Sequence, residues 1–496
     1  MNSNLILNNG NKTYAKKCLD EIVDIGLEFK LQKNFREKHI SKNMIKKIFE
    51  MPVNITKLED IITFTKEQIL PYCSNFGTEK FMGFPDAGNS IAGISGAVLS
   101  DFLQQNLINS SFCAPIATYM EIAVIRWLRE IVGYTNIEVN NIWNVGGIIT
   151  YGGTGSNSIA MLLARENHRK NTLKNGVKNP KEYKVVIPKG IGHYSIKSSL
   201  MWIGCGDNII EVPTINYKYD LDELRKILLE NKGEIMCVVA YAGDSRSMTI
   251  DNLTAIHKVV KEVDNNIWLH ADACHGFSLG FSEKLKYKIS GIELFDSIST
   301  DPHKVLAIPY TVSALLLKNP ETLKKVTTTS DLIMKEDYAF GQVTPFIGSK
   351  SWMSLKVWFA FQNIGKKGIG ELIERRCNIA QYLKEILENR KEYIVLNYVD
   401  INSVMFMYVG NRDNITMNID EINNINKQIK QKMDIDGIYF LHQFSINDNN
   451  NKISENEILY PLRYMSGNDN IKKEDIKNMI MYIDNIVKDL NKKKGE

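Results

Sequence analysis

The sequence predicts an α/β protein built on a mainly parallel sheet, followed by a smaller α+β lobe. Three observations carry this. From about residue 144, short apolar runs alternate with helical segments, the pattern of strand–helix units that cover a sheet on both faces. Runs such as "IMCVVAYAG" (235–243) are apolar almost throughout. After about residue 390 the texture changes to strands and helices of a separate, smaller lobe.

The elements follow in order. Residues 14–75 read as helices, including "CLDEIVDIGLEFKLQKN" and "ITKLEDIITFTKEQILPYC", whose apolar positions recur at helical spacing. "FMGFPDAGNS" (81–90) is a Pro/Gly/Asn break, and "IAGISGAVLSDFLQQNL" and "IATYMEIAVIRWLREIVGY" are further helices. The alternating region supplies strands "GGIITYGG", "YKVVIP", "NIIEVP", "IMCVVAYAG", "NIWLHADA", "LFDSIST" and "VSALLLK". Helices "SNSIAMLLARENHRK", "YSIKSSLM", "LDELRKILLEN" and "NLTAIHKVVKEV" lie between the first five. Residues 350–390 form a long helical connector. The last lobe holds strands "YIVLNYV", "SVMFMYVG" and "GIYFLHQFSI", helices "DEINNINKQIKQKM" and "KEDIKNMIMYIDNIVKDL", and the Asn-rich surface loop "NDNNNKISENE". The expected division is an N-terminal helical segment (1–100), a large domain (101–365) and a small domain (366–496).

Composition excludes several classes. With 61 basic and 57 acidic residues the net charge is +4, too balanced to imply a nucleic-acid partner. The Lys-rich stretches "NMIKKIF" and "KDLNKKKGE" are read as solvated faces. Seven scattered cysteines contain no CxxC pair, which suits reduced thiols and a cytoplasmic location. The start shows no basic region followed by an apolar run, and no window reaches about 18 uninterrupted apolar residues, so neither a signal peptide nor a membrane span is expected.

Ligands of open α/β sheets sit at the carboxyl ends of strands, and four features fall at such ends. "TYGGTGSNS" (150–158) is strand, Gly-rich turn and helix start; it suits an anion, although the same pattern serves a plain capped turn, and its spacing is neither a P-loop nor a dinucleotide fingerprint. His193 follows a strand and opens a helix in "GHYSIKSS". An apolar strand ends on Asp272 in "WLHADACHG", where a carboxylate needs a cation or strong donors. His270 and His275 beside it admit a metal reading, but a zinc site needs three or four ligands and only these are evident, so no metal is expected. Lys304 closes "SISTDPHK" (297–304). An anion cradle, an imidazole, a carboxylate and a lysine are the set needed by pyridoxal phosphate. They serve, in order, the phosphate, the ring face, the pyridine nitrogen and the aldehyde.

In the same order and spacing, "GGIITYGGTGSNSIAMLLAR", "HADACHG" and "SISTDPHK" make the chain resemble the group II pyridoxal-phosphate-dependent amino acid decarboxylases, which act on aromatic amino acids, tyrosine, aspartate and glutamate. The resemblance runs from about residue 80 to 468 and implies the aspartate-aminotransferase fold (type I), the cofactor pyridoxal 5'-phosphate, and release of carbon dioxide and an amine from an L-amino acid. It implies a covalent anchor at Lys304, a partner of the pyridine nitrogen at Asp272 and a ring-stacking imidazole at His193. It places the phosphate at Gly153 and Thr154 with His303, and a hydroxyl near the cofactor at Ser245. It points to pocket walls at Phe84 and Pro85, substrate contacts at Lys350 and Arg463, and a proton donor at Tyr338, with His303 and Lys304 as other donors. Asp86 is compatible with a polar or cationic substrate, or with a turn. A homodimer with sites near the subunit interface is also implied. Cys274 stands where many decarboxylases have alanine, and "YAGDSRS" (241–247) replaces a Thr-rich stretch, so the substrate stays open. The "D-A-C" and "D-x-H-K" stretches are also similar to sphingosine-phosphate lyases. A carbon–carbon lyase, an aldehyde-forming oxidative branch and a binding protein with a decayed site are the competing readings. The intact Lys304, Asp272 and His193 argue against the last.

Overall fold

The computed structural model describes residues 6–495, apart from 37, 329 and 331–336. Its centre is a seven-stranded sheet. The strands are β1 (Gly147–Thr150), β2 (Lys184–Pro188), β3 (Ile209–Val212), β4 (Ile235–Tyr241), β5 (Trp268–Asp272), β6 (Ser297–Thr300) and β7 (Ser313–Leu317). Their spatial order is β1-β7-β6-β5-β4-β2-β3. Only β7 runs against the rest: it pairs antiparallel with both β1 and β6, while β6-β5-β4-β2-β3 are parallel throughout. Every residue of β4 is buried, which explains its unbroken apolar run: a strand covered on both faces has no side that tolerates polar groups.

Helices α1 (Lys12–Lys30), α2 (Lys42–Phe49) and α3 (Leu58–Phe64) precede the sheet, followed by α4 (Ile91–Leu103) and α5 (Pro115–Ile131). The helix expected to run on from α3 widens into a π-turn over Thr65–Ile69 and ends in a single tighter turn over Leu70–Tyr72, where Pro71 has no N–H to donate to a preceding carbonyl. Within the alternating region lie α6 (Gly153–His168), α7 (Tyr194–Trp202), α8 (Leu221–Glu230) and α9 (Leu253–Val263). The one-turn α10 (Pro302–Val305) follows β6. Asp220 caps α8, its side chain accepting from the N–H groups of Asp222 and Glu223.

The long connector is α11 (Ser354–Glu388), broken at Gly365, where φ is 71°. Beyond it, β8 (Tyr393–Val395), β9 (Ser403–Tyr408), β10 (His442–Gln443) and β11 (Leu462–Met465) form an antiparallel sheet in the order β8-β9-β11-β10. Helices α12 (Ile419–Asp436) and α13 (Lys473–Gly495) complete this lobe. Sequence periodicity did not foretell β11, and it foretold one strand where 437–446 carries two short ones. The break at 81–90 is tethered to this lobe: Met82 N–H donates to Phe440 O (2.9 Å) and Met465 N–H to Met82 O (2.8 Å). Phe81 stacks between Phe76 and Phe440, with ring centroids 4.2 and 5.2 Å away.

Candidate active site

Because β1, β2, β4, β5 and β6 all point the same way, their carboxyl ends meet at one edge of the sheet. There they line a single cleft with about 580 Å³ of empty space, part of it open to solvent. Its walls include Gly153 and Thr154 after β1, His193 after β2, Ser245 after β4, Asp272 at the end of β5, and His303 and Lys304 after β6. Seven residues singled out from sequence are thereby brought together.

The Gly-rich turn is built for close approach. Gly152 has φ 87°, in the left-handed region, and a Cβ at Gly153 would lie 2.8 Å from Cys274 Sγ and 3.0 Å from Asp301 Oδ2. Gly153 and Thr154 are the first residues of α6, so their N–H groups have no intrahelical acceptor and face the positive end of the helix dipole. The turn offers free backbone donors and room for an anion.

Lys304 Nζ lies 2.7 Å from Asp301 Oδ2. Burial works against the Lys304 ammonium, but Asp301, with smaller help from Cys274 and Asp86, outweighs it and holds the amine above its ordinary value. Burial likewise opposes the Asp301 carboxylate, yet Lys304 and His303, with hydrogen bonds from Lys304 and Ser313, draw it down to about 2. Asp272 Oδ2 accepts from Asn157 Nδ2 (2.9 Å) and Oδ1 from Cys274 N–H (3.3 Å). His193 caps α7, and burial lowers its pKa, which favours the neutral imidazole. The His303 Nδ1 edge meets Val312 O at 2.7 Å, and Nε2 lies 3.9 Å from Asp86. Burial raises the Asp86 carboxyl, whose Oδ1 has no hydrogen-bond partner among the described residues.

Lys350, Tyr338, Phe84, Pro85 and Arg463, also singled out from the sequence, are not among the residues that line this cleft. Lys350 does not reach the cleft. It is wholly buried, 2.9 Å from Glu121 Oε1, and donates to Ile149 O (2.9 Å), because an ammonium out of water must find a carboxylate. Tyr338 lies outside the cleft lining, with its hydroxyl on Val139 O (3.3 Å) and its ring against Tyr119. Phe84 and Pro85 stand behind the wall rather than on it; Phe84 packs on Phe440 and His442. Arg463 is buried one layer back as well. It donates to Ser245 O and to Gly83 O (3.1 Å) and covers Phe84 and Phe444, while its Nε has no partner among the described residues. The metal reading of His270 also fails, since both of its ring nitrogens are engaged, by Ser297 Oγ (2.8 Å) and Asn157 Oδ1 (3.0 Å).

Sequence reasoning missed Asn157, Asp301 and Tyr241 as lining residues. Asp301 had a visible signal, since it opens the "DPHK" stretch beside the lysine. Asn157 had none, because its partners lie 38 to 142 positions away.

The comparisons agree with this geometry. A family model described as "Pyridoxal-dependent decarboxylase conserved domain" matches residues 42–409. An aromatic-L-amino-acid decarboxylase of Bacillus atrophaeus is 25% identical over 398 residues, covering 77% of this chain and 78% of the relative. An L-2,4-diaminobutyrate decarboxylase of Acinetobacter baumannii is 27% identical over 320 residues, 60% of this chain and 61% of that one. In structure, mouse CSAD superimposes with a TM-score of 0.84 at 20% identity, covering 96% of this chain and 99% of that one, a likeness of fold.

Proposed function

The chain belongs to the pyridoxal-dependent decarboxylase family, and from that premise we propose that it converts an L-amino acid to the corresponding amine and carbon dioxide, using the cleft residues in distinct roles. The observation that carries the reading is the meeting of Lys304, Asp272, His193 and the Gly153–Thr154 turn around one cleft. When bound, the cofactor supplies an electron sink for the pair left behind as the carboxylate departs. Lys304 would hold it covalently and Asp272 would accept a hydrogen bond from its pyridine nitrogen. His193 would face the ring. The N–H groups of Gly153 and Thr154, helped by His303, would hold the phosphate, and Ser245 would offer a hydroxyl. Arg463, one layer behind the wall, holds the Ser245 and Gly83 carbonyls and so shapes the substrate side of the cleft. With Tyr338 turned to Val139, Lys304 Nζ and His303 Nε2 are the cleft groups suited to return a proton to the α-carbon.

We further propose a homodimer acting in the cytoplasm. Supporting the dimer, Leu19, Ile22, Val23 and Leu27 of α1 and Val98, Leu99 and Phe102 of α4 expose apolar side chains that one subunit leaves uncovered. The apolar positions of the loop "MKEDYAFGQ" (334–342) suit the same interface, and its residues 334–336 lie outside the described residues. All seven cysteines are free thiols, in keeping with a reducing compartment. No helix among the described residues is long and apolar enough to cross a membrane. Sedimentation showing a fully active monomer would reject the dimer. The function is tested by offering the loaded protein a panel of L-amino acids and measuring carbon dioxide and amine. Equal amounts of both support the proposal. Aldehyde with hydrogen peroxide points to the oxidative branch, and carbon dioxide from none of the panel overturns the reading.

A further inference from the structure

Behind Asp272 lies a string of buried polar side chains that none of the roles above requires. Trp268 Nε1 contacts Ser297 Oγ (2.8 Å), Ser297 Oγ contacts His270 Nδ1 (2.8 Å), and His270 Nε2 contacts Asn157 Oδ1 (3.0 Å). Ser299 Oγ also donates to Asn157 Oδ1 (2.7 Å). Asn157 Nδ2 then reaches both Asp272 Oδ2 (2.9 Å) and Ser195 Oγ (2.8 Å), and Ser195 Oγ reaches His193 Nδ1 (2.6 Å).

The protons along this string can be assigned from the chemistry of its ends. An indole N–H only donates, and a carboxylate only accepts. Asp272 therefore forces Asn157 to turn its NH₂ toward it, which leaves the amide oxygen facing His270. His270 must donate to that oxygen from Nε2, because two lone pairs cannot face each other at 3.0 Å. It is a neutral imidazole, pushed by burial to about 4, so its one proton is on Nε2 and Nδ1 accepts from Ser297. On the other side, Ser195 Oγ accepts from Asn157 and has its own proton left to give. Ser195 N–H also points at His193 Nδ1 (3.3 Å), so Nδ1 is an acceptor twice over. The single proton of His193 then belongs to Nε2, the ring nitrogen without a protein partner among the described residues.

We propose that Asn157 is a positioning residue that sets two cleft groups at once: it fixes Asp272 as a hydrogen-bond acceptor and, through Ser195, fixes His193 as the Nε2–H tautomer. His193 is thereby a donor toward whatever lies in the cleft, suited to an anionic group there and not to a general base's task. The proposal builds on the reading that this cleft takes pyridoxal phosphate, but its test does not depend on that reading.

The imidazole ¹⁵N signals of His193, recorded on the cofactor-free protein, report which nitrogen carries the proton. In the natural protein we expect a protonated-type Nε2 and an unprotonated-type Nδ1. Asn157→Asp puts an oxygen beside both Ser195 Oγ and Asp272 Oδ2, and the proton that such a carboxyl pair must share lies between residues 157 and 272. The serine then has to donate to residue 157, its oxygen turns to accept from His193 Nδ1, and the two ¹⁵N assignments exchange. Ser195→Ala keeps the Asn157–Asp272 bond and removes only the link, so His193 should become a mixture of tautomers. A structural role alone would lower stability in both variants without moving the tautomer. The proposal is overturned if His193 of the natural protein is not Nε2–H. It is also overturned if both variants, or Ser195→Ala alone where Asn157→Asp does not fold, keep the natural signals. If the tautomer shifts as expected but no amino acid is decarboxylated, the positioning role stands and the enzymatic reading fails.

Discussion

Replacing Lys350 with methionine separates the structural account of this residue from a substrate-binding one. The Lys350 ammonium and the Glu121 carboxylate are both wholly buried and 2.9 Å apart, and Ser354 Oγ gives Glu121 its other contact at 2.9 Å. Burial pushes the Glu121 carboxyl up and Lys350 pulls it back. With methionine at 350 the pull is gone, and a buried carboxylate faces one hydroxyl donor. Breaking such a pair costs about 3–5 kcal/mol. Protonation limits the damage. Leaving Glu121 neutral costs about 1.4 kcal/mol for each pH unit above its unfolded value near 4.3, hence about 4 kcal/mol at pH 7 and about 1 kcal/mol at pH 5. The sign follows from proton counts. The folded variant holds a proton on Glu121 that the unfolded chain releases, so its stability falls as pH rises. Urea unfolding of Lys350→Met and the natural protein, at equal saturating cofactor, should therefore show a gap about 3 kcal/mol larger at pH 7 than at pH 5. Adding Glu121→Gln should close most of it. An unchanged urea midpoint with a raised KM would refute the buried pair and restore Lys350 as a substrate contact. A gap equal at both pH values would refute the titration of Glu121.

Three further outcomes are expected. Lys304→Ala should lose the visible absorption band of the loaded protein, and borohydride should no longer fix the cofactor to the chain; a retained, reducible band would move the anchor to another lysine. Asp272→Asn should keep pyridoxal phosphate but lose on the order of 10²- to 10⁴-fold in kcat, since an amide beside the ring nitrogen removes a fixed charge from a water-poor site; near-normal turnover would end that role. His270, held neutral by burial down to about 4 against an ordinary value near 6.5, binds fewer protons folded than unfolded across that window. Folding stability should accordingly fall by about 2 kcal/mol between pH 7 and pH 5 on its account. His270→Gln should flatten that part of the urea-midpoint profile, and an unaltered slope would show that another group carries it.

The parts of this molecule that were legible in its sequence are local. A parallel strand buried on both faces writes itself as an apolar run, and β4 is such a run. A residue placed just past such a run must lie at the sheet's carboxyl edge, which is how Asp272, His193 and Lys304 could be placed before any contact was known. Non-local pairings leave no such mark. Lys350 reads as a free basic residue because Glu121 is 229 positions away. Strand β11 leaves no mark in the sequence because its partner β9 pairs with it across 56 to 62 positions and its tether at Met82 is 383 positions away. Asn157 reads as a helix residue because the string it joins is drawn from α6, α7, β5 and β6.

The same distinction divides the site itself. The groups suited to the cofactor sit on consecutive strand ends of one sheet, where each side chain is aimed by its own strand. The groups suited to the substrate come from three separated regions held together at Arg463, which joins the Ser245 carbonyl of the large lobe to the Gly83 carbonyl of the N-terminal segment from a strand of the small lobe. Two buried atoms there have no hydrogen bond among the described residues, Arg463 Nε and Asp86 Oδ1, one suited to an anion and the other to a donor or cation. Their relative position depends on how the small lobe and the 81–90 break seat on the sheet, and no short stretch of sequence encodes that. A change at Asp86 should therefore alter which amino acid is accepted while leaving cofactor uptake alone, whereas a change at Gly153 should do the reverse, because a Cβ there meets Cys274 and Asp301 inside the cradle. Pyridoxal phosphate affinity and, at saturating cofactor, the preference among a panel of L-amino acids, measured on Asp86→Asn and Gly153→Ala, separate the two halves. Weakened cofactor binding in Asp86→Asn, or a changed preference in Gly153→Ala at saturating cofactor, would show that they are one unit.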